Sequence, residues 1–67
     1  MLDPFQIRKR VQSITDLRAR ARTHDSLARA RVARMVFDLY RDVMKEIARG
    51  SIDAKSLALA ALEVEDA

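Results

Sequence analysis

The widest apolar pattern of this chain lies in residues 27–49. Placed at 100° per residue, the apolar side chains of this stretch cover an arc of roughly 220°, about twice the width typical of a surface helix. We therefore predict a central helix over 26–49 that is covered on two sides. The side facing its own chain comprises Val32, Val36, Leu39, Val43 and Ile47. The second apolar side comprises Ala33, Phe37, Tyr40, Met44 and Ala48.

A narrower apolar stripe predicts a first helix over residues 4–22. Its members are spaced by four, three and seven residues, as one helical face requires. They are Ile7, Val11, Ile14 and Ala21. Asp3 and Gln6 fit a capping box, and Pro4 suits the first helical position. Arg18 falls within the stripe, so we expect it to extend its head to water or to pair with a carboxylate of a neighbouring helix or subunit.

The apolar pattern breaks over residues 23–26, where Thr23 or Asp25 can cap the second helix. A connection this short predicts an antiparallel hairpin of the first two helices. Neither glycine nor proline interrupts the stretch. A single continuous helix therefore remains an alternative.

Gly50 predicts the end of the central helix, and Asp53 predicts the start of a third helix over 53–63, with Ile52 stapled onto Leu57. The predicted apolar face of this helix comprises Ala54, Leu57, Ala58, Ala61 and Leu62. Three acidic residues follow, and negative charge is unfavourable at a helix C-terminus. We therefore expect a frayed acidic tail over 64–67.

The predicted fold is all-α, a helical hairpin plus a short third helix. A chain of 67 residues with no cysteine and one histidine has neither a disulfide nor a metal site to stabilise it. The second apolar side of the central helix also has to be buried against another surface. We expect a homodimeric helical bundle that uses Ala33, Phe37, Tyr40, Met44 and Ala48 as its interface, with the dimer's direction and a tetramer left open. The Tyr40 hydroxyl should stay at the rim.

Charge is strongly polarised along the chain. Residues 1–36 carry nine basic and three acidic groups, and residues 37–67 carry four basic and seven acidic groups. In a hairpin, six arginines gather near the connection. They are Arg18, Arg20, Arg22, Arg29, Arg31 and Arg34. Guanidinium groups suit phosphate and carboxylate equally well, so the cluster predicts contact with nucleic acid or with an acidic protein.

The candidates for chemistry are weak. His24, Asp25 and Ser26 are adjacent in sequence, and neighbouring side chains at a helix start point in different directions rather than converging as a triad does. The residues for a metal site or a phosphate loop are missing, so no cofactor is expected. Asp38, Asp42 and Glu46 form an acidic stripe, which we interpret as ion-paired with nearby basic residues rather than cation-binding. Catalysis is therefore not expected.

The sequence leaves two functional interpretations open. One is a small regulatory or accessory protein that contacts nucleic acid non-specifically through its arginines, since no base-reading element is present. The other is an adaptor or inhibitor that binds an acidic protein with its basic half and the wide apolar side of the central helix. The longest apolar run has six residues, far below the ~20 that span a bilayer, and Asp3 and Pro4 interrupt a signal peptide. We expect a cytoplasmic protein without a membrane partner.

Overall fold

The computed structural model describes residues 2–21 and 26–66, and these form three packed α-helices. Helix α1 is Pro4–Ala21, α2 is Ser26–Ala48 and α3 is Ala54–Asp66. The described part of the chain contains no strand. None of its helices combines the length and the hydropathy that crossing a membrane requires.

Helix α1 begins with the predicted capping box. The backbone N–H of Gln6 donates to Asp3 Oδ1 at 2.8 Å, and the backbone N–H of Asp3 donates to Gln6 Oε1 at 3.2 Å. Two of the amides that a helix start leaves unpaired are thereby satisfied. All four residues of the predicted stripe, Ile7, Val11, Ile14 and Ala21, are buried. The prediction for α1 is confirmed.

Helices α1 and α2 form an antiparallel hairpin. Arg10 Nη1 lies 3.0 Å from Asp42 Oδ2, while Ile14, one turn further along α1, lines the same small groove as Asp38, one turn earlier in α2. A continuous helix would hold residues 10 and 42 about 48 Å apart at 1.5 Å per residue. The alternative of one continuous helix is therefore wrong. The predicted caps Thr23 and Asp25 and the adjacent His24 lie outside the described residues.

The core lies along the line where all three helices meet. It comprises Ile7, Val11, Ile14, Leu39, Val43, Leu57, Ala60, Ala61 and Val64. On α2, Leu39 and Val43 are buried as predicted, and Val32, Val36 and Ile47 pack against the core while partly exposed. Small side chains at Ala60 and Ala61 leave room for α3 to approach the hairpin closely.

Helix α3 differs from its prediction in two respects. Its buried residues are Leu57, Ala60, Ala61 and Val64, whereas Leu62 is 53% exposed. The helix also continues to Asp66, so the expected fraying after Leu62 is wrong. Burial of Val64 contributes roughly 1.5–3 kcal/mol, comparable with the ~1–3 kcal/mol by which the three acidic groups together oppose the helix dipole. The bonds of Arg18 to the Val64 carbonyl and of Tyr40 to Glu65 add to the stability of this end.

The connection between α2 and α3 turns on Gly50, whose φ of 87° lies in the left-handed region that favours glycine, as predicted. The carbonyl of Asp53 accepts the Leu57 N–H at 2.9 Å, which places Asp53 at the start of α3. The predicted staple of Ile52 onto Leu57 is wrong, since Ile52 is 99% exposed.

Helix α3 covers only one end of the hairpin. It has 13 residues against 23 in α2, and it runs antiparallel to α2, with Ala58 near Ile47 and Glu65 bonded to Tyr40. Residues 26–37 of α2 therefore extend beyond the end of α3, over about 18 Å at 1.5 Å per residue. Together with the last turn of α1, they form a projecting two-helix end.

Candidate functional site

The projecting end of the hairpin carries the predicted arginine cluster. We call it the arginine pole, defined by Arg18, Arg20, Arg29, Arg31 and Arg34 among the described residues. The sixth predicted member, Arg22, lies outside them. Residues 17–21 and 26–37 contain no acidic side chain. The pole therefore carries an excess of positive charge, with Asp38 as the acidic partner of Arg34 at its base, at one end of a molecule whose extents are 41 × 16 × 16 Å.

Four of the five described arginines, Arg20, Arg29, Arg31 and Arg34, are exposed. Arg29 and Arg31 point to opposite sides of α2, because two residues advance a helix by slightly more than half a turn. Positive charge therefore surrounds the pole rather than covering one face. Within the described residues, neither Arg29 nor Arg31 makes an ion pair. These two side chains are the best placed to receive an external anion.

Arg34 is partly engaged at the base of the pole. Its Nε lies 3.4 Å from Asp38 Oδ1, and its guanidinium lies 5.9 Å from the centroid of the Phe37 ring, within cation–π range. Phe37 is 59% exposed and Leu27 is 69% exposed. The pole thus presents apolar as well as cationic surface.

Arg18 connects the pole to the end of α3. Its Nη1 donates to the backbone carbonyl of Val64 at 2.6 Å. The acceptor is the backbone carbonyl of a helix C-terminus, whereas the sequence predicted that the head would reach water or pair with a carboxylate. Such a charge-assisted bond at the negative end of a helix dipole helps to hold the last turn of α3 in place.

The acidic stripe of α2 is ion-paired, as interpreted from sequence. Asp38 lies 3.3 Å from Arg41, Asp42 accepts from Arg10, and Glu46 lies 3.5 Å from Arg49. The hydrogen bond from Arg10, reinforced by Arg41, lowers the pKa of the Asp42 carboxyl below its usual value against the opposing effect of burial. Of these pairs, that of Asp42 with Arg10 joins α2 to α1, and the other two are local to α2 and the turn that follows it.

The residues predicted to form a dimer interface lie on the surface. Ala33, Phe37, Met44 and Ala48 are exposed and Tyr40 is half-buried. Sequence reasoning missed the contribution of α3 to this surface, where Ala58 and Leu62 line a groove together with Tyr40 and Met44. The signal was hidden because residues 57–62 are all apolar, so that periodicity alone did not fix which face of α3 is buried.

The Tyr40 hydroxyl donates a hydrogen bond to Glu65 Oε1 at the rim of this surface. Burial, and then the hydrogen bond to the Glu65 carboxylate, raise the pKa of Tyr40 to about 12. The neutral hydroxyl is the donor, so its stabilising contribution is complete below pH 10 and is lost as the pH rises from about 10 to about 12.

We expect the absorbance of Tyr40, the chain's single tyrosine, to titrate with a midpoint near pH 12 in the folded protein and near 10.0 in denaturant. Replacement of Glu65 by glutamine should move the folded midpoint toward the denatured one, because the charged acceptor is removed. A folded midpoint near 10.0 would contradict the bond between α2 and α3 described here.

Comparison with protein-family models, curated proteins and solved structures finds no match to this chain.

Proposed function

We propose that this chain is a small regulatory or accessory protein that acts by binding, and that the arginine pole contacts the phosphate backbone of nucleic acid. The observation that carries the proposal is the concentration of five described arginines at the end of the hairpin that projects beyond α3, where Arg29 and Arg31 are exposed. In this proposal the protein is not a catalyst, and its acting form is a homodimer.

Phosphate suits this surface because guanidinium groups recognise phosphate oxygens with paired N–H donors. The arginines surround the pole, so they can contact phosphates on both sides of a groove without a fixed register. No side-chain arrangement on the described part of the pole resembles a base-reading helix, whose reading side chains lie together along one exposed face. We therefore expect binding without sequence preference.

The test is titration of a fluorescently labelled random duplex DNA with the protein at a series of salt concentrations. Each phosphate contact contributes a slope of about −0.9 to a plot of log affinity against log salt. We expect measurable binding at low salt and a straight line with a slope of several such units. Absence of binding at low salt would contradict the proposal.

A second candidate function is the binding of an acidic protein. The observation favouring it is the exposure of Leu27 and Phe37 beside the arginines, since apolar side chains gain little from a phosphate backbone. Unlabelled polyglutamate added to the DNA titration distinguishes the two. Displacement of DNA by polyglutamate at equal charge concentration would favour the acidic protein, and retention of DNA would favour nucleic acid.

A further inference from the structure

The arginine pole has an aromatic side chain at its base. Phe37 is 59% exposed and lies one turn from Arg34, whose guanidinium is 5.9 Å from the centroid of the ring. Phosphate contacts alone leave this ring without a role, since phosphate oxygens are bound by N–H and O–H donors, which a phenyl ring lacks. An exposed aromatic ring beside cations is, by contrast, the combination with which proteins hold the bases of a single strand.

Arginines lie on both sides of Phe37 around α2. At 100° per residue, Arg29 falls about 80° to one side of Phe37 and Arg34 about 60° to the other. The exposed side chains between them in this sector, those of Ala30 and Ala33, are short. A ligand that passes over the two alanines therefore reaches the ring and both guanidinium groups without obstruction.

Carboxylates limit the site on the side away from the pole. Asp38 follows Phe37 in sequence, but it lies about 100° further round α2, in a groove with α1, and pairs with two arginines of α2. Glu65 accepts the hydroxyl of Tyr40, one turn beyond Phe37. Because Glu65 repels phosphate at that level, a strand that reaches Phe37 extends toward the pole. Arg29 lies only about 12 Å away along the helix axis, so the site is short.

The exposed phenylalanine at the start of α1 has different surroundings. Phe5 is 66% exposed, and Lys9 Nζ lies 5.0 Å from the centroid of its ring. Arg8, one turn from Phe5, is paired with Glu63 of α3 at 3.1 Å. Phe5 also lies at the end of the molecule opposite the pole. Charge therefore favours Phe37 over Phe5 as the ring that meets a polyanion.

We propose that Phe37 stacks on an unpaired base while Arg29 and Arg34 contact the flanking phosphates, so that single-stranded nucleic acid is the preferred ligand of the pole. This inference rests on the proposed function and specifies its ligand. The bases of a duplex are stacked on one another, so a duplex binds through its phosphates and leaves Phe37 without a partner. Stacking tolerates any sequence, because every base has a π-face, in accord with a pole that has no base-reading element.

The test compares two fluorescently labelled oligonucleotides of equal length and charge, a thymine strand and an abasic strand whose sugars carry no base. Single-stranded and duplex DNA differ in charge density, so comparing them directly would not isolate stacking. At the same low salt concentration, we expect the thymine strand to bind at least about fivefold more tightly, the lower limit for stacking one base on an aromatic side chain. Equal affinities for the two strands would overturn the proposal.

A matched pair of variants tests whether Phe37 is the stacking residue. Phe37→Ala should bind the thymine strand as weakly as the abasic strand, with an unchanged salt slope, because no phosphate contact is lost. Phe5→Ala removes a comparably exposed ring at the other end and should keep the preference for thymine. Both rings are exposed, so helicity should be retained in both variants. Persistence of the preference in Phe37→Ala, or its loss in both variants, would overturn the proposal.

The abasic strand also separates this inference from the proposed function. Binding of the abasic strand at low salt without a preference for thymine would refute stacking and leave the phosphate contact intact. Failure of both strands and of duplex DNA to bind would refute the proposed function, and the inference with it. If Phe37→Ala weakened the binding of polyglutamate as much as that of thymine, the ring would belong to a site for an acidic protein, and the inference would be overturned.

Discussion

Replacement of Val64 by aspartate should abolish the cooperative thermal unfolding of this protein. Val64 is 0% exposed in the core formed by all three helices, and a buried carboxylate without a partner costs several kcal/mol. A chain of 67 residues has roughly 3–10 kcal/mol of stability in total, at ~0.05–0.15 kcal/mol per residue. The neighbouring Glu63 and Glu65 add repulsion. Circular dichroism during heating measures the effect.

Leu59→Asp is the matched control, because it introduces the same side chain on the same helix at a position that is 56% exposed. We expect this variant to unfold cooperatively within a few degrees of the unmodified protein. If Val64→Asp unfolded like the control, α3 would have to end before residue 64, as its acidic residues had suggested.

The start and the buried face of the first helix were predictable because local signals specify both. Ile7, Val11 and Ile14 repeat at helical spacing between polar residues, and Asp3 with Gln6 specify the start through a local hydrogen-bond pair. Each of these signals acts within a few residues. The tertiary packing of α1 is consistent with these local signals.

The third helix was predicted less well because its buried face and its C-terminal end depend on packing against the hairpin. A run of six apolar residues offers several possible buried faces, and packing against α1 and α2 selected Leu57, Ala60, Ala61 and Val64. The end of α3 was fixed by contacts that are 46 and 25 residues apart in sequence, those of Arg18 with Val64 and of Tyr40 with Glu65. The rule that negative charge is unfavourable at a helix C-terminus considers only neighbouring residues, so it could not predict these two contacts.

The arginines of the candidate site could be identified from the sequence, but their exposure to solvent could not be predicted from it. Whether Arg29 and Arg31 face solvent depends on how far α3 extends along the hairpin, and this follows from the packing of α3. Likewise the side of α2 that was predicted to be a dimer interface lies on the surface of the single chain, whereas Leu62 was assigned to the core because its exposure is set by the orientation of α3.

Charge reversal at the pole, with Arg29→Glu and Arg31→Glu in one chain, should eliminate most of the affinity for duplex DNA. A cation near an anionic surface contributes on the order of 1 kcal/mol, and reversal replaces attraction by repulsion at both positions. We expect at least about a tenfold loss at low salt, with a salt slope smaller in magnitude by about 1.8 if both arginines contact phosphate. Helicity should be unchanged, since both side chains are exposed.

Lys45→Glu with Lys55→Glu is the matched control for this variant. Both lysines are exposed, and both lie toward the end of the molecule opposite the pole. Each double variant removes four units from the formal net charge of +3, so the two proteins carry the same total charge and differ only in where it lies. A difference between them therefore reports the position of the binding surface rather than general electrostatic attraction.

The decisive measurement is the affinity of these two double variants for one duplex DNA at the same low salt concentration. If the pole is the nucleic-acid contact, the arginine variant loses at least about tenfold in affinity, and the lysine variant loses much less. Equal losses in the two variants, or a larger loss in the lysine variant, would contradict the assignment of function to the arginine pole.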